Sequence, residues 1–549
     1  MDINAAHITA YGAIREASES RERLEDCTTD RPSTIHENED EDDREQPQPI
    51  PQPPISRIPT ELFTKILSYC VACDVTEVAP WEQTPQALRY ISVCSHWRQI
   101  IEGCPSLWSV ISLTWPEQLI RVYLERSGDT LLSFSFSNVP LSPQQHRAQP
   151  FFDAPPSYLN ADVFRRIRVL FLRVRHGTQN VWRALLSSYP LPCLEQLYLP
   201  TPYAEDLVAA IYSHDNVGRN IQAVSLTGRI CPDAPVLRIP ICLTSLSLQD
   251  VFLTSRFSNG STLFPPHLYL DILGSLRFLQ DLSIKPLKWF PQPTEFFDTV
   301  DIPALKSLEI SGDSTLISFF LSFLHLPMVT SMKFILESST ARSDLIQDIV
   351  GVANATGAFF PGNRPPFHTL SLHQSTIDPE CIITLSDDTS ISGSDPPRSI
   401  CFLTPLTKIS HHIKYRFLLS SVLPVLPLSD DIRCLKVNLG DKILSGSIWH
   451  NTFLHSSLNA TIDQVEVHES AGIGFVEALS LEKTFLPRLS HITFARVDAH
   501  DPEVSTIFAS RLSNALQQRN PQLAVSLIAC TLPGDALRNV GGVQTLNLA

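Results

Sequence analysis

From Leu131 onward one pattern returns along the chain, apolar-x-x-apolar-x-apolar. Its copies are Leu131/Phe134/Phe136, Ile167/Leu170/Leu172, Leu194/Leu197/Leu199, Leu243/Leu246/Leu248, Leu279/Leu282/Ile284, Leu305/Leu308/Ile310, Val329/Met332/Phe334, Phe367/Leu370/Leu372, Ile432/Leu435/Val437, Ile462/Val465/Val467 and Leu489/Ile492/Phe494. On a β-strand, successive side chains point to opposite faces, so the last two apolar positions share one face and the residue between them takes the other. Copies mostly begin 24 to 38 residues apart, with one interval of 65 between Phe367 and Ile432. One strand plus a return segment fits that period, and units this small share a core only by stacking on one another. Between copies, "AEDLVAAIYS", "LISFFLSFL" and "STIFASRLSNALQQR" carry helical spacing and would form the returning side.

This periodicity resembles the leucine-rich repeat, and the resemblance implies a solenoid with an exposed concave strand face. No Asn or Cys recurs three residues after the L-x-L, so the side-chain ladder of regular repeats is missing and an irregular horseshoe is expected. Charged residues make up only 18% of the 549 residues, which suits half-buried strands decorated with Ser and Thr better than salt-bridged helices. Glu195, Gln196, Tyr198, Lys306, Ser307, Glu309, Arg433 and Lys436 fall on outward strand positions, mix charge with hydrogen-bonding capacity, and form the expected target-binding set.

Ahead of the repeats the texture is helical. In "RIPTELFTKILSYC", Pro59 stands where a first turn tolerates it, and Leu62/Ile66 and Phe63/Leu67 sit at i,i+4, predicting a short amphipathic helix. After the polar interval Asp74–Thr84, three- and four-residue steps return from Leu88 to Cys104 with a break near Ser95, and Gly103 and Pro105 stop them. The elements "IPTELFTKIL", "VCSHWRQII" and "PSLWSVISL", in that order, resemble the F-box, specifically the diverged F-box-like form common in mushroom-forming fungi. The resemblance implies docking on a Skp-type adaptor, and through it a cullin-RING ubiquitin ligase. By residue match, the adaptor-facing set is Ile58, Pro59, Leu62, Ile66, Val93, Cys94 and Trp97, while Leu107 and Trp108 are expected in the core. A three-helix unit of about 50 residues is too small to bury all these apolar groups internally.

The expected architecture is therefore α/β: a disordered acidic and Pro-rich tail over residues 1–54, an F-box-like helical domain over 55–115, and an irregular leucine-rich-repeat solenoid over 116–549. Residues 1–50 hold 14 Asp/Glu against 5 Arg, a net of -9 out of the chain's -15, so the body carries only -6. A near-neutral body without a basic stripe argues against nucleic-acid binding, which needs clustered cations to displace counterions from phosphates. The longest apolar run, Leu316 to Val329, falls short of the ~20 residues of a membrane span. With no secretory signal in view and 12 cysteines scattered among apolar residues, a cytoplasmic or nuclear protein is expected.

Nothing points to catalysis or to a cofactor. "CVAC" (Cys70 to Cys73) has the spacing of a metal pair, but Cys94, His96 and Cys104 make a poor second pair, and packed thiols are the expectation. His411-His412 has no carboxylate at a fixed offset, and "GIGF" (Gly472 to Phe475) lacks a third glycine and a preceding nucleotide-binding strand. The chain reads as a non-enzymatic substrate receptor. The alternative is a protein-interaction scaffold that binds the adaptor or other proteins without ubiquitination.

Overall fold

A computed structural model describes residues 58–77, 86–137, 156–201, 204–214, 220–230, 242–253, 266–287, 298–336, 349, 351–352, 355–356, 367–374, 380–387, 399–405, 432–439, 445–454, 456, 458–497, 501–519, 523–530 and 543–547. The tail 1–54 and His411-His412 lie outside these residues. The chain divides into two compact units, Met1–Leu194 and Glu195–Ala549.

The first unit opens with helix Thr60–Glu77, followed by helices Gln86–Ile91 and Ser95–Glu102 and a 3-10 turn over Pro105–Trp108. The first helix is longer than its amphipathic stretch because no Gly or Pro interrupts it before Pro80, so it runs into the interval read as polar. The break near Ser95 is real: Cys94 is extended (φ -161°) and caps the helix starting at Ser95, and Gly103 caps its end. Leu107 and Trp108 are fully buried. Trp108 donates its indole N–H to the Ile101 carbonyl at 2.8 Å, packs edge-on against Tyr123, and carries the Arg126 guanidinium 4.5 Å from its ring centre. Strands β1 (Val110–Ser112), β2 (Leu132–Ser137) and β3 (Ile167–Arg173) then pair in parallel. The copy read as Leu131/Phe134/Phe136 is shifted at its first position. Leu132 is buried and Leu131 exposed, because the register slips between Leu132 and Ser133.

The second unit contains β4 (Gln196–Pro200), β5 (Ala223–Ile230), β6 (Ser245–Leu253), β7 (Asp281–Leu287), β8 (Val300–Asp301), β9 (Ser307–Gly312), β10 (Leu324–His325), β11 (Ser331–Leu336), β12 (Thr369–Gln374), β13 (Glu380–Ser386), β14 (Ser399–Pro405), β15 (Cys434–Asn438), β16 (Gln464–His468), β17 (His491–Ala495), β18 (Ala524–Ile528) and β19 (Val543–Asn547). β4, β5, β6, β7, β9 and β11 pair successively in parallel. The order then inverts. β11 pairs in parallel with β14, β14 antiparallel with β13, β13 antiparallel with β12, and β12 in parallel with β15. From β15 to β19 the pairing is again parallel and sequential. The long interval before Ile432 thus holds two further strands, one of them running backwards.

Register is kept across the inversion. Leu308 faces Met332, Met332 faces Ile400, Ile400 faces Leu385, Leu385 faces Leu370 and Leu370 faces Leu435, all buried. Stretches with helical spacing form helices Ala204–Ile211, Ser314–Ser322 and Pro502–Gln518. Asp313 and Asp501 cap the last two by accepting from backbone N–H groups of the first turn. Deeper in the unit, Trp449 is enclosed by Phe453 and Phe475 at ring separations of 6.0 and 5.2 Å. "GIGF" lies inside helix Ala471–Leu481, where a Cβ on Gly472 would meet Val497 at 3.0 Å. Its glycine serves close helix-strand packing. A mixed α/β unit built on a large, mainly parallel sheet is consistent with a leucine-rich-repeat-like solenoid. Among the described residues, no helix is long and apolar enough to cross a membrane.

Candidate functional site

Two surfaces stand out, one apolar and one polar. On helix Thr60–Glu77, Phe63 and Leu67 turn inward at 5% and 3% exposure. Leu62, one residue before Phe63, is 56% exposed, Ile66 49% and Tyr69 63%. These three stand at i, i+4 and i+7, so they form one stripe along the outer side of the helix. The i,i+4 pairs read from the sequence are thus split, one into the core and one into solvent. Tyr69 was not expected there, although its spacing from Ile66 is visible in the sequence.

The remaining members of the expected adaptor-facing set are placed differently. Ile58 is half-buried and Pro59 exposed at the start of the helix, where the Pro59 carbonyl accepts from Phe63 N at 3.0 Å. Val93 is 58% exposed in the turn between the second and third helices, beside exposed Cys94. Trp97 is half-buried: its ring stands edge-on to Phe63 at 4.6 Å and tilted against Tyr90 at 6.2 Å. It therefore ties the first and third helices together while keeping part of its surface outside. Among the described residues, no group of three or more His, Cys, Asp or Glu is arranged to hold a metal ion.

The second surface is the outward side of the repeat strands. The central residue of each L-x-L aligns across the sheet, giving Tyr198, Ser225, Ser247, Ser283, Glu309 and Lys333 in one run. Beyond the inversion, Lys436, Glu466, Thr493 and Ser526 form another. None of the residues expected on this face is buried. They are not brought to one place, since β5, β6 and β7 separate Tyr198 from Glu309 and four strands separate Glu309 from Lys436.

Tyr198 donates to Gln196 Oε1 at 3.2 Å, and burial pushes its phenol up from the usual value of 10.0. Lys306 Nζ donates to Gln280 Oε1 at 3.1 Å. Glu309 sits between Lys285 at 2.5 Å and Lys333 at 2.9 Å and accepts from Ser283 at 3.2 Å. Burial alone would raise its carboxyl, but hydrogen bonds and charge from the two lysines outweigh it and hold it below 4.5.

Around Arg433 and Lys436 the face dips into an open groove of about 630 Å³ that spans β12, β15, β16 and β17. Its walls include Asp463 and Glu466, neither of them in the expected target-binding set. They were legible, because Asp463 stands just before β16, as Arg433 stands just before β15, and Glu466 is the central residue of Val465-x-Val467. Asp463 Oδ1 is buried with no hydrogen-bond partner among the described residues. Burial raises the Asp463 carboxyl above its usual 3.8, opposed by the charge of Arg433 and the residue's own backbone N–H. Glu466 Oε1 lies 2.8 Å from His468 Nε2.

No protein-family model matches the chain, and no curated protein matches it. Solved structures similar to it include the leucine-rich repeat-containing protein LegL7 from Legionella pneumophila, 12% identical, with the match covering 68% of this chain and 98% of that one at a TM-score of 0.27.

Proposed function

We propose that this chain is the substrate-receptor subunit of a Skp-cullin-F-box type ubiquitin ligase. Its helical segment binds the Skp-type adaptor, its repeat strands bind the target, and the chemistry is done by the ligase partners. The observation that carries this reading is the stripe Leu62, Ile66 and Tyr69, exposed on a helix that has already buried Phe63 and Leu67. Covering one such side chain is worth about 1.5–3 kcal/mol, so a stripe of three is a strong incentive to association. The order of "IPTELFTKIL", "VCSHWRQII" and "PSLWSVISL" supports the choice of adaptor.

The test is co-purification of the full chain with a recombinant Skp-type adaptor and a cullin. The intact protein should retain both, and Leu62→Asp combined with Ile66→Asp should lose both without unfolding. Adaptor capture without cullin would favour the scaffold reading. Equal capture by the double variant would overturn the role given to the stripe.

A further inference from the structure

The groove over β15 and β16 has an uneven charge pattern. Both of its fixed cations, Arg433 and Lys436, belong to the β15 repeat, and both of its carboxylates, Asp463 and Glu466, to the β16 repeat. Backbone and register place them as neighbours: Asp463 N donates to the Arg433 carbonyl at 2.9 Å, and Lys436 faces Glu466. One wall is therefore positive and the next, about 4.8 Å away as adjacent strands are, negative. The lining around them is polar, with Thr369 on β12 beyond the β15 wall and His491 on β17 beyond the β16 wall.

This is unlike a cofactor pocket, which is largely apolar with few polar anchors. It also differs from the Glu309 site, where two lysines already satisfy the carboxylate. Here the carboxylates of Asp463 and Glu466 and the cations of Arg433 and Lys436 all line the open groove. Since Arg433 and Lys436 repel a purely basic ligand and Asp463 and Glu466 a purely acidic one, only an occupant with both signs matches both walls.

We propose that this groove docks an extended target segment of mixed charge, an acidic side chain seated over β15 and a basic side chain over β16. Same-face side chains of an extended segment repeat about every 6.8 Å, and long side chains span the remaining offset from the strand spacing. The inference rests on reading the chain as a target receptor and adds the chemistry of the target.

The test uses the full chain and three fluorescein-labelled peptides of equal length: one alternating Glu and Lys with Ser between them, one with Glu alone and one with Lys alone. Fluorescence anisotropy at low salt should show binding of the mixed peptide at least about tenfold tighter than either single-sign peptide, weakening as salt screens the charges. Reversing one wall (Arg433→Glu with Lys436→Glu) should abolish that preference. Reversing both, with Asp463→Lys and Glu466→Lys added, should restore it, because a mixed peptide can lie the other way round. Lys436→Gln, a mild surface change, should weaken binding several-fold with an unchanged melting temperature. Binding by none of the peptides, equal binding of all three, or indifference to the reversals overturns the proposal. Adaptor capture by the same variants should be unchanged, so a chain that binds peptide but no adaptor sinks the ligase reading alone.

Discussion

The outer side of helix Thr60–Glu77 and the outer side of the repeat strands handle exposure in opposite ways. The helix leaves Leu62, Ile66 and Tyr69 in water, whereas the strands hide every L-x-L leucine and present Ser, Thr, Lys and Glu. An apolar stripe gains from any partner that covers it, so it suits one constant companion. A polar face gains little from area alone and discriminates by matching charge and hydrogen bonds. Under the proposed function, the first surface serves a shared partner and the second selects among targets.

Four measurements bear on that contrast. The largest effect belongs to the strand-backed core: Trp449→Ala should cost about 3–5 kcal/mol in chemical denaturation, while Leu62→Ala should change stability by less than about 0.5 kcal/mol. Comparable losses would mean that the stripe is not free. Next, Trp97→Ala should weaken adaptor binding by at least about 2 kcal/mol. It should also loosen the helical segment, since the Phe63 contact at 4.6 Å goes with it; an adaptor affinity left intact would assign Trp97 to packing alone.

A smaller effect is set by pH at Glu309. Its folded carboxyl lies below 4.5, so its stabilisation is present above that value and is lost as pH falls through the folded pKa. Glu309→Gln should therefore lower the melting temperature at neutral pH and converge with the parent in acid; a gap that widened on acidification would refute the ionic role. Smallest is Ala529→Gly. Ala529 follows β18 with φ 48°, a left-handed conformation also adopted by Glu469 after β16 and Arg496 after β17. Glycine there should raise stability by up to about 1 kcal/mol, measured by thermal unfolding.

Much of this was legible in the sequence because burial acts on a strand with period two. Nearly every L-x-L found by pattern is a buried strand, and the segments between them with helical spacing are helices. Ile221/Val224/Leu226 fits the same pattern and forms β5, yet it is absent from the expected copies; the 49-residue step from Leu194 to Leu243, long enough for two repeats, was its signal. The inversion at β12–β14 was illegible for a physical reason: alternation says which face a residue takes, not which neighbour or direction its strand has. The helix stripe was half legible. Spacing groups Leu62 with Ile66 and Phe63 with Leu67, but which pair faces inward depends on where Trp97 and its helix dock. The groove needs two copies aligned side by side, and a single sequence does not announce that register.

The inverted strand order also bears on how the repeats come together. The edge left by β11 is taken not by the next strand made but by β14, whose Ser399 meets Ser331 across 68 positions of chain. Until that segment arrives, the antiparallel pair of β12 and β13 has no sheet edge to join, so zipping along the array stalls at β11 and resumes only when β12, β13 and β14 fall into place together. Closing so long a loop slows assembly, and it makes the middle of this protein, not its ends, the place where a deletion would stop everything downstream from docking.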